Sequence, residues 1–174
     1  MPVTDFLLRP WAAADAGSLV RWADDPGIAA HLRDVFPSPY TMADAAWFLR
    51  DCMAREGRDQ LCRAVVVAGE AVGCVTVTRG TDVYCKCAEL GYWLGRDYWG
   101  QGIMTAAVRR ICREAFAVWD ILRIQAEVFA PNAGSRRVLE KAGFTLEGTK
   151  RRGVYKNGQV LDACVYALLK EELT

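Results

Sequence analysis

Apolar and polar positions change period several times along the chain, and each change marks an element. Leu7 and Leu8 before Arg9-Pro10 predict a first strand that stops at Pro10, because proline cannot continue a sheet ladder. Residues 15–22 read as a short helix whose end is marked by Asp25-Pro26-Gly27. From Gly27 to Tyr40 the chain turns irregular, with Pro37 and Pro39 discouraging helix, until Thr41 caps a second helix carrying Ala45, Trp47, Phe48, Leu49 and Met53. Residues 61–68 are rich in valine and residues 71–78 follow across Gly69-Glu70, which predicts an antiparallel hairpin; residues 88–94 extend it as a meander. Ile103, Ala106, Ala107, Ile111, Ala115 and Val118 then recur at helical spacing, in a long helix starting near Gly102. Residues 122–129 alternate as a half-buried strand, Pro131-Asn132 opens a helix that ends at Gly143, and Phe144 begins another strand. Between Gly148 and Gly158 lie Lys150, Arg151, Arg152, Lys156 and Tyr155, before a last strand over 161–169. The order β-α-α-β-β-β-α-β-α-β-β predicts an α/β fold, a mixed sheet flanked by helices.

With 174 residues, 52% of them hydrophobic, the chain fits one domain spanning 1–174. Twenty-two basic against twenty-one acidic residues give a net charge of +1, so no global field favours a nucleic acid partner. The amino-terminal residues lack the basic start and apolar stretch of a signal peptide, and no run approaches the ~20 apolar residues of a membrane span. A cytoplasmic protein with no membrane association is expected. Cys52, Cys62, Cys74, Cys85, Cys87, Cys112 and Cys164 are scattered among apolar or strand-type neighbours and read as buried free thiols. Cys85-x-Cys87 has no second pair, and His31 is the only histidine, so no metal is expected. Oligomeric state is not legible, a homodimer being compatible with the chain.

The strand ending at Leu94 converts to helix across Tyr98-Trp99-Gly100-Gln101-Gly102-Ile103-Met104. Glycines there let a ligand approach the backbone, and the N–H groups of a helix's first turn, at its positive dipole end, form an anion site suited to pyrophosphate. Gly-x-Gly alone is also common as steric convenience at such turns. No Gly-Lys-Ser/Thr run exists, and a third glycine and an early βαβ unit are missing, which argues against a kinase or a dehydrogenase.

Taken with Glu89-Leu90-Gly91-Tyr92-Trp93-Leu94, Asn132-Ala133-Gly134-Ser135, Leu139-Glu140-Lys141-Ala142-Gly143-Phe144, the tail from Glu147 to Arg152 with Asn157-Gly158 and Asp162, and Leu8-Arg9-Pro10 at the start, this turn resembles the GNAT superfamily of acyl-coenzyme A-dependent N-acyltransferases. The combination is similar to its RimJ/RimL branch, the ribosomal-protein N-terminal acetyltransferases and their relatives. The resemblance implies acetyl-CoA as co-substrate, lying in an opening between the strand that ends at Leu94 and the strand holding residues 126–129. It implies main-chain contacts from Gly100, Gln101, Gly102, Ile103 and Met104 to the pyrophosphate. It also implies a bulge near residues 91–93 that splays the sheet and leaves main-chain groups of Trp93 and Leu94 for the pantetheine, the alternative being an unbulged strand with Trp93 in the core. Where the family often has Gln or Arg, Asp97 stands here and is expected to point outward.

Acetyl transfer to an amine needs a neutral nucleophile, a hydrogen bond to the developing oxyanion and a proton for the departing thiolate. The resemblance implies Glu89 as base, with partial burial raising its proton affinity; the alternative is a strand-orienting ion pair. Many members protonate the thiolate with a tyrosine at the place held here by Leu139, so Ser135 is the implied substitute for that acid, a plain helix-start hydroxyl being the alternative. Asn132 caps the helix and is implied to touch the pantetheine arm. Arg136, Arg137 and Lys141 are read either as 3′-phosphate contacts or as helix-surface charge. The acceptor pocket is expected around the early helices, with Trp22, Phe36, Tyr40, Trp47 and Phe48 mostly core and His31 outside the site. An N-terminal α-amine of a protein or peptide is the expected acceptor; a small amine, or a non-catalytic acyl-CoA-binding module, are the alternatives.

Overall fold

The computed structural model describes residues 4–173. Met1 to Val3, where the reading of the amino terminus begins, lie outside the described residues. Seven strands form one sheet in the order β1-β2-β3-β4-β5-β7-β6: β1 (Leu7–Pro10), β2 (Gln60–Val67), β3 (Glu70–Arg79), β4 (Cys87–Leu94), β5 (Arg123–Phe129), β6 (Thr145–Lys156) and β7 (Gln159–Leu169). All neighbours run antiparallel except β4 and β5, which are parallel and therefore need a crossover, supplied by the 16-residue α4 (Ile103–Val118). The mixed sheet expected from the periodicity is present. Among the described residues, no helix is long and apolar enough to cross a membrane.

Two cores pack on opposite faces of the sheet. On one face α4 and α5 (Ala133–Ala142) bury Ile103, Val108, Ile111 and Leu139 against Val65, Val75, Leu90 and Leu94. On the other, α1 (Ala16–Ala23) and α3 (Met42–Arg55) bury Leu19, Ala45 and Leu49 against Cys62, Ala64, Val66 and Trp93. Burying each of the Val, Leu and Ile side chains among these contributes about 1.5–3 kcal/mol. The alternation along β4 follows from this division: Leu90 and Leu94 face α4, whereas Trp93 faces α1 and α3. Cys52, Cys62, Cys74, Cys112 and Cys164 are buried as expected, but Cys85 is exposed, in the turn before β4, and Cys87 is half-buried as the first residue of that strand.

Thr41 caps α3 as anticipated: its hydroxyl accepts from the Asp44 N–H, and the Asp44 carboxylate accepts in turn from the Thr41 N–H. Three local expectations need correction. The stretch after Gly27 is not irregular throughout, since Pro26–Ala29 forms one helical turn, α2; Pro26 presets its first residue and the Asp25 side chain accepts from the Gly27 N–H. The β2–β3 turn is Ala68-Gly69, with φ of 49° and 83°, not Gly69-Glu70. Phe144 is buried just before β6, and the basic stretch from Gly148 is strand, closed against β7 by Asn157-Gly158 with both residues at positive φ.

Asp15 ties β1 to α1. Its carboxylate accepts from both terminal nitrogens of Arg9 at 2.7 and 2.8 Å and from the Ala12 N–H at 2.9 Å. The Arg9 hydrogen bonds hold its pKa below the ordinary carboxylate range, against the opposing effect of burial. A carboxylate whose folded-state pKa is depressed contributes stability that is fully present above the unfolded value, about 3.9, and lost as pH falls through the folded one. Asp15→Asn should therefore lower unfolding free energy by about 1–3 kcal/mol at neutral pH. In urea titrations across pH, the gap between the two proteins should close below about pH 4; a gap that persists there would mean the ion pair is not its source.

Candidate active site

β4 and β5 are paired only through Cys87–Arg123, Ala88–Ile124 and Glu89–Gln125. Beyond Glu89 the strands part, while β4 keeps its pairing with β3 to Leu94 and β5 keeps its pairing with β7 to Phe129. A slot thus opens through the sheet with Glu89 at its apex. The splay was expected, but the bulge held responsible for it is absent: β3–β4 register runs unbroken from Arg79–Ala88 to Gly73–Leu94. The irregularity lies one strand away, in β3, where Val72 is skipped against β2. Trp93 is correspondingly buried in the α1–α3 core, as the unbulged alternative required.

Register decides which main-chain groups face the slot. The Gly95 N–H bonds the Val72 carbonyl and the Gly80 N–H bonds the Cys87 carbonyl, so the odd-numbered residues of β4 exchange hydrogen bonds with β3. Even-numbered Tyr92 and Leu94 turn their N–H and C=O groups the other way, into the slot. The Leu94 carbonyl there accepts from the Trp99 indole at 2.7 Å. Leu94 thus keeps its expected place at the opening, whereas the main chain of Trp93 is committed to β3 and Tyr92 takes its position.

From Leu94 the chain passes through a 3-10 turn (Arg96–Tyr98) into Gly100-Gln101-Gly102. Gly100 and Gly102 have φ of 74° and 76°, which a side chain would strain. Gly102 sits at the N-cap of α4, where no side chain caps the helix, in contrast to Thr41 on α3 and Asn132 on α5. The first-turn amides around Ile103 and Met104 therefore keep the positive end of a 16-residue helix unneutralised, with the exposed Gly100, Gln101 and Gly102 at its tip. Asp97 is exposed, as expected, and its carbonyl accepts from Gln101 Nε2 at 2.9 Å; Gln101 Oε1 accepts from the Thr4 hydroxyl at 2.8 Å. The Gln101 side chain is thus spent on the loop, leaving its main chain for a ligand.

α5 borders the slot from the other strand. Asn132 Oδ1 accepts from the Ser135 N–H at 3.1 Å, and the Ser135 hydroxyl lies 2.7 Å from the Tyr92 hydroxyl on β4. Burial pushes the Tyr92 phenol well above its ordinary range. Leu139 is fully buried in the core. Arg136 is engaged internally, donating to the Tyr166 hydroxyl at 3.2 Å and the Ala130 carbonyl at 3.4 Å, which leaves Arg137 and Lys141 as the outward cations of α5. A groove of about 500 Å³ runs along this flank, lined by Ala133, Arg136, Arg137, Glu140 and Lys141.

Glu89 is exposed and has neither hydrogen bond nor ion pair among the described residues. The partial burial expected of it is not found, nor is the strand-orienting ion pair; parity places it on the α1–α3 face, beyond the edge of that core. Around the neighbouring loop Tyr40 is buried, and Phe36 packs on Tyr40 and Trp93 at 5.2 and 6.1 Å. Trp22 and Phe48 are half-buried, but Trp47 and His31 are exposed, so the aromatic set is less uniformly core than expected. Tyr92 is the site residue that composition and spacing did not single out, because its partner is 43 positions away.

The Acetyltransferase (GNAT) domain family matches residues 5–145. The "Putative ribosomal N-acetyltransferase YdaF" of Bacillus subtilis is 41% identical over 91 residues, 52% of this chain and 50% of that protein. The ribosomal-protein-serine acetyltransferase of Escherichia coli is 29% identical over 98 residues, 56% of this chain and 54% of that protein. The chain thus spans about half the length of these curated relatives. Over the whole fold, Mycobacterium smegmatis RimJ in complex with CoA-disulfide superposes with a TM-score of 0.85 at 27% identity, covering 98% of this chain and 84% of that one. With a family match across most of its length, a slot between its parallel strands and an uncapped helix at the mouth of that slot, the chain belongs to the GNAT acetyltransferase family.

Proposed function

We propose that this chain is an N-acetyltransferase that moves the acetyl group of acetyl-CoA directly to the N-terminal α-amine of a protein or peptide. The observation that carries the reading is the slot between β4 and β5, because it separates the two halves of the chemistry onto opposite faces of one sheet. On the α4–α5 face, the main chain of Gly100, Gln101, Gly102, Ile103 and Met104 would hold the pyrophosphate, and Arg137 and Lys141 lie on the flank suited to the 3′-phosphate. The pantetheine would pair as an added strand with main-chain groups of Tyr92 and Leu94, and with Asn132. Bound there, the thioester supplies an activated acyl group at the slot.

Glu89 stands on the opposite face, at the apex, where an amine entering beneath the aromatic loop would meet it. The acceptor itself would cover the exposed carboxylate and weaken its hydration, which is when a base becomes effective. Ser135 lies on the leaving-group side and can donate to the sulfur as the C–S bond breaks. All these residues belong to one chain, so the scheme holds for a monomer or a homodimer. Support for the α-amine is physical and comparative: its reference pKa is about 7.7–8.0 against about 10.4 for lysine, so a modest base finds far more neutral nucleophile, and the two curated relatives above carry ribosomal names.

Glu89→Gln should lower kcat by roughly 10²–10⁴-fold with CoA affinity unchanged by calorimetry; near-normal turnover across pH would remove Glu89 as the base. For the acceptor, matched peptides with free or blocked amino termini, each with and without lysine, are compared with free amino acids and polyamines. Acetylation of the peptides with free termini regardless of lysine is expected. Activity confined to blocked, lysine-containing peptides, or to small amines alone, would contradict the proposal.

A further inference from the structure

Tyr92 and Ser135 meet across the slot from different elements, and their hydroxyls can share protons in two ways. The Tyr92 oxygen is 2.7 Å from Ser135 Oγ and also lies within donating distance, 3.1 Å, of the Ser135 carbonyl. In one arrangement the phenol donates to the carbonyl and the serine hydroxyl donates back to the phenol, so the serine proton is turned away from any ligand. In the other the phenol donates to Ser135 Oγ, and the serine proton is released to point elsewhere. Burial pushes the phenol's pKa above its ordinary value, so it remains a donor at neutral pH. Ser135 cannot drift from this contact, since its N–H is held by Asn132 and its helix is docked on the sheet through Tyr166, which donates to Glu140 at 2.9 Å and accepts from Arg136.

We propose that Tyr92 is a positioning residue for acetyl transfer: its half-buried phenol switches its donation to Ser135 Oγ and so aims the serine proton at the sulfur as negative charge develops there. This rests on the reading that Ser135 serves the leaving group. In the step, the acceptor nitrogen forms the C–N bond, the C–S bond breaks with its electron pair on sulfur, and the amine proton passes to Glu89 or water. No proton leaves Tyr92 or Ser135; the thiolate takes one from solvent afterwards. The chain Tyr92 O–H to Ser135 O–H to sulfur stabilises the thiolate because each donor polarises the next and the final bond is to a charged acceptor.

The test reads the thiolate itself and needs no acceptor. Wild type, Tyr92→Phe, Ser135→Ala and the double variant are saturated with CoA. The ultraviolet thiolate absorbance, as the difference between loaded and free protein, is then followed against pH. Tyr92→Phe and Ser135→Ala should each raise the proton affinity of the bound thiol about tenfold. The double variant should match Ser135→Ala, and CoA affinity at a pH where the thiol is protonated should not change. A Tyr92→Phe titration like wild type, or an effect that adds in full to that of Ser135→Ala, would overturn the Tyr92 assignment while leaving the cofactor reading in place. Failure of the wild type to bind CoA at all would instead defeat the cofactor reading, and this assignment with it.

Discussion

Backbone hydrogen bonding between β4 and β5 ends after three residue pairs, and most of what distinguishes this molecule depends on that early end. A buried strand ordinarily spends every N–H and C=O on its neighbours. Here β4 continues on β3 alone, so Tyr92 and Leu94 present polar main chain to a slot that an extended ligand can fill as a missing strand would. The parting also turns one sheet into two half-sheets, each with its own anchoring: β1 to β4 carry α1 and α3, while β5, β7 and β6 carry α5 through Tyr166. α4 packs across the other face of the first half and delivers the chain to the second.

The helix ends around the slot differ in a way that matches this division. α3 and α5 have side-chain caps, which satisfy first-turn amides locally. α4 starts at a glycine with positive φ and has no such cap, so its dipole end remains available where the slot opens. Ser135 and Tyr92 meet across the slot. The contact gives the half-buried phenol of β4 its partner and at the same time fixes how close α5 can approach, so the slot has a set width at the level of Ser135.

Much of this was legible in the sequence, and the limits have physical causes. Helical spacing from Ile103 to Val118, the Thr41 cap and the Gly143 stop gave α3, α4 and α5 within a residue or two. The glycine turn was anticipated from its local motif, and the splay from the family resemblance. Main-chain direction was not, because whether Trp93 or Tyr92 faces the slot depends on register with β3, and a one-residue error reverses the answer. The environment of Glu89 was likewise unreadable, since burial depends on which helices extend over the strand. Asn157-Gly158 carried a hairpin signal that would have extended β6 through its basic stretch, but the charge run masked the strand. The Tyr92–Ser135 contact joins residues far apart in sequence, and no local pattern announces it.

The central claim is that the cofactor occupies the slot by pairing with the even-numbered main chain of β4 and with the uncapped turn of α4. Amide hydrogen exchange with single-residue resolution, with and without CoA, tests it most directly. Protection should rise at Tyr92, Leu94 and the amides of residues 100–104, and stay unchanged at Trp93, whose N–H already bonds β3. Protection confined to the outer flank of α5, or a rise at Trp93 with none at Tyr92 and Leu94, would contradict the account.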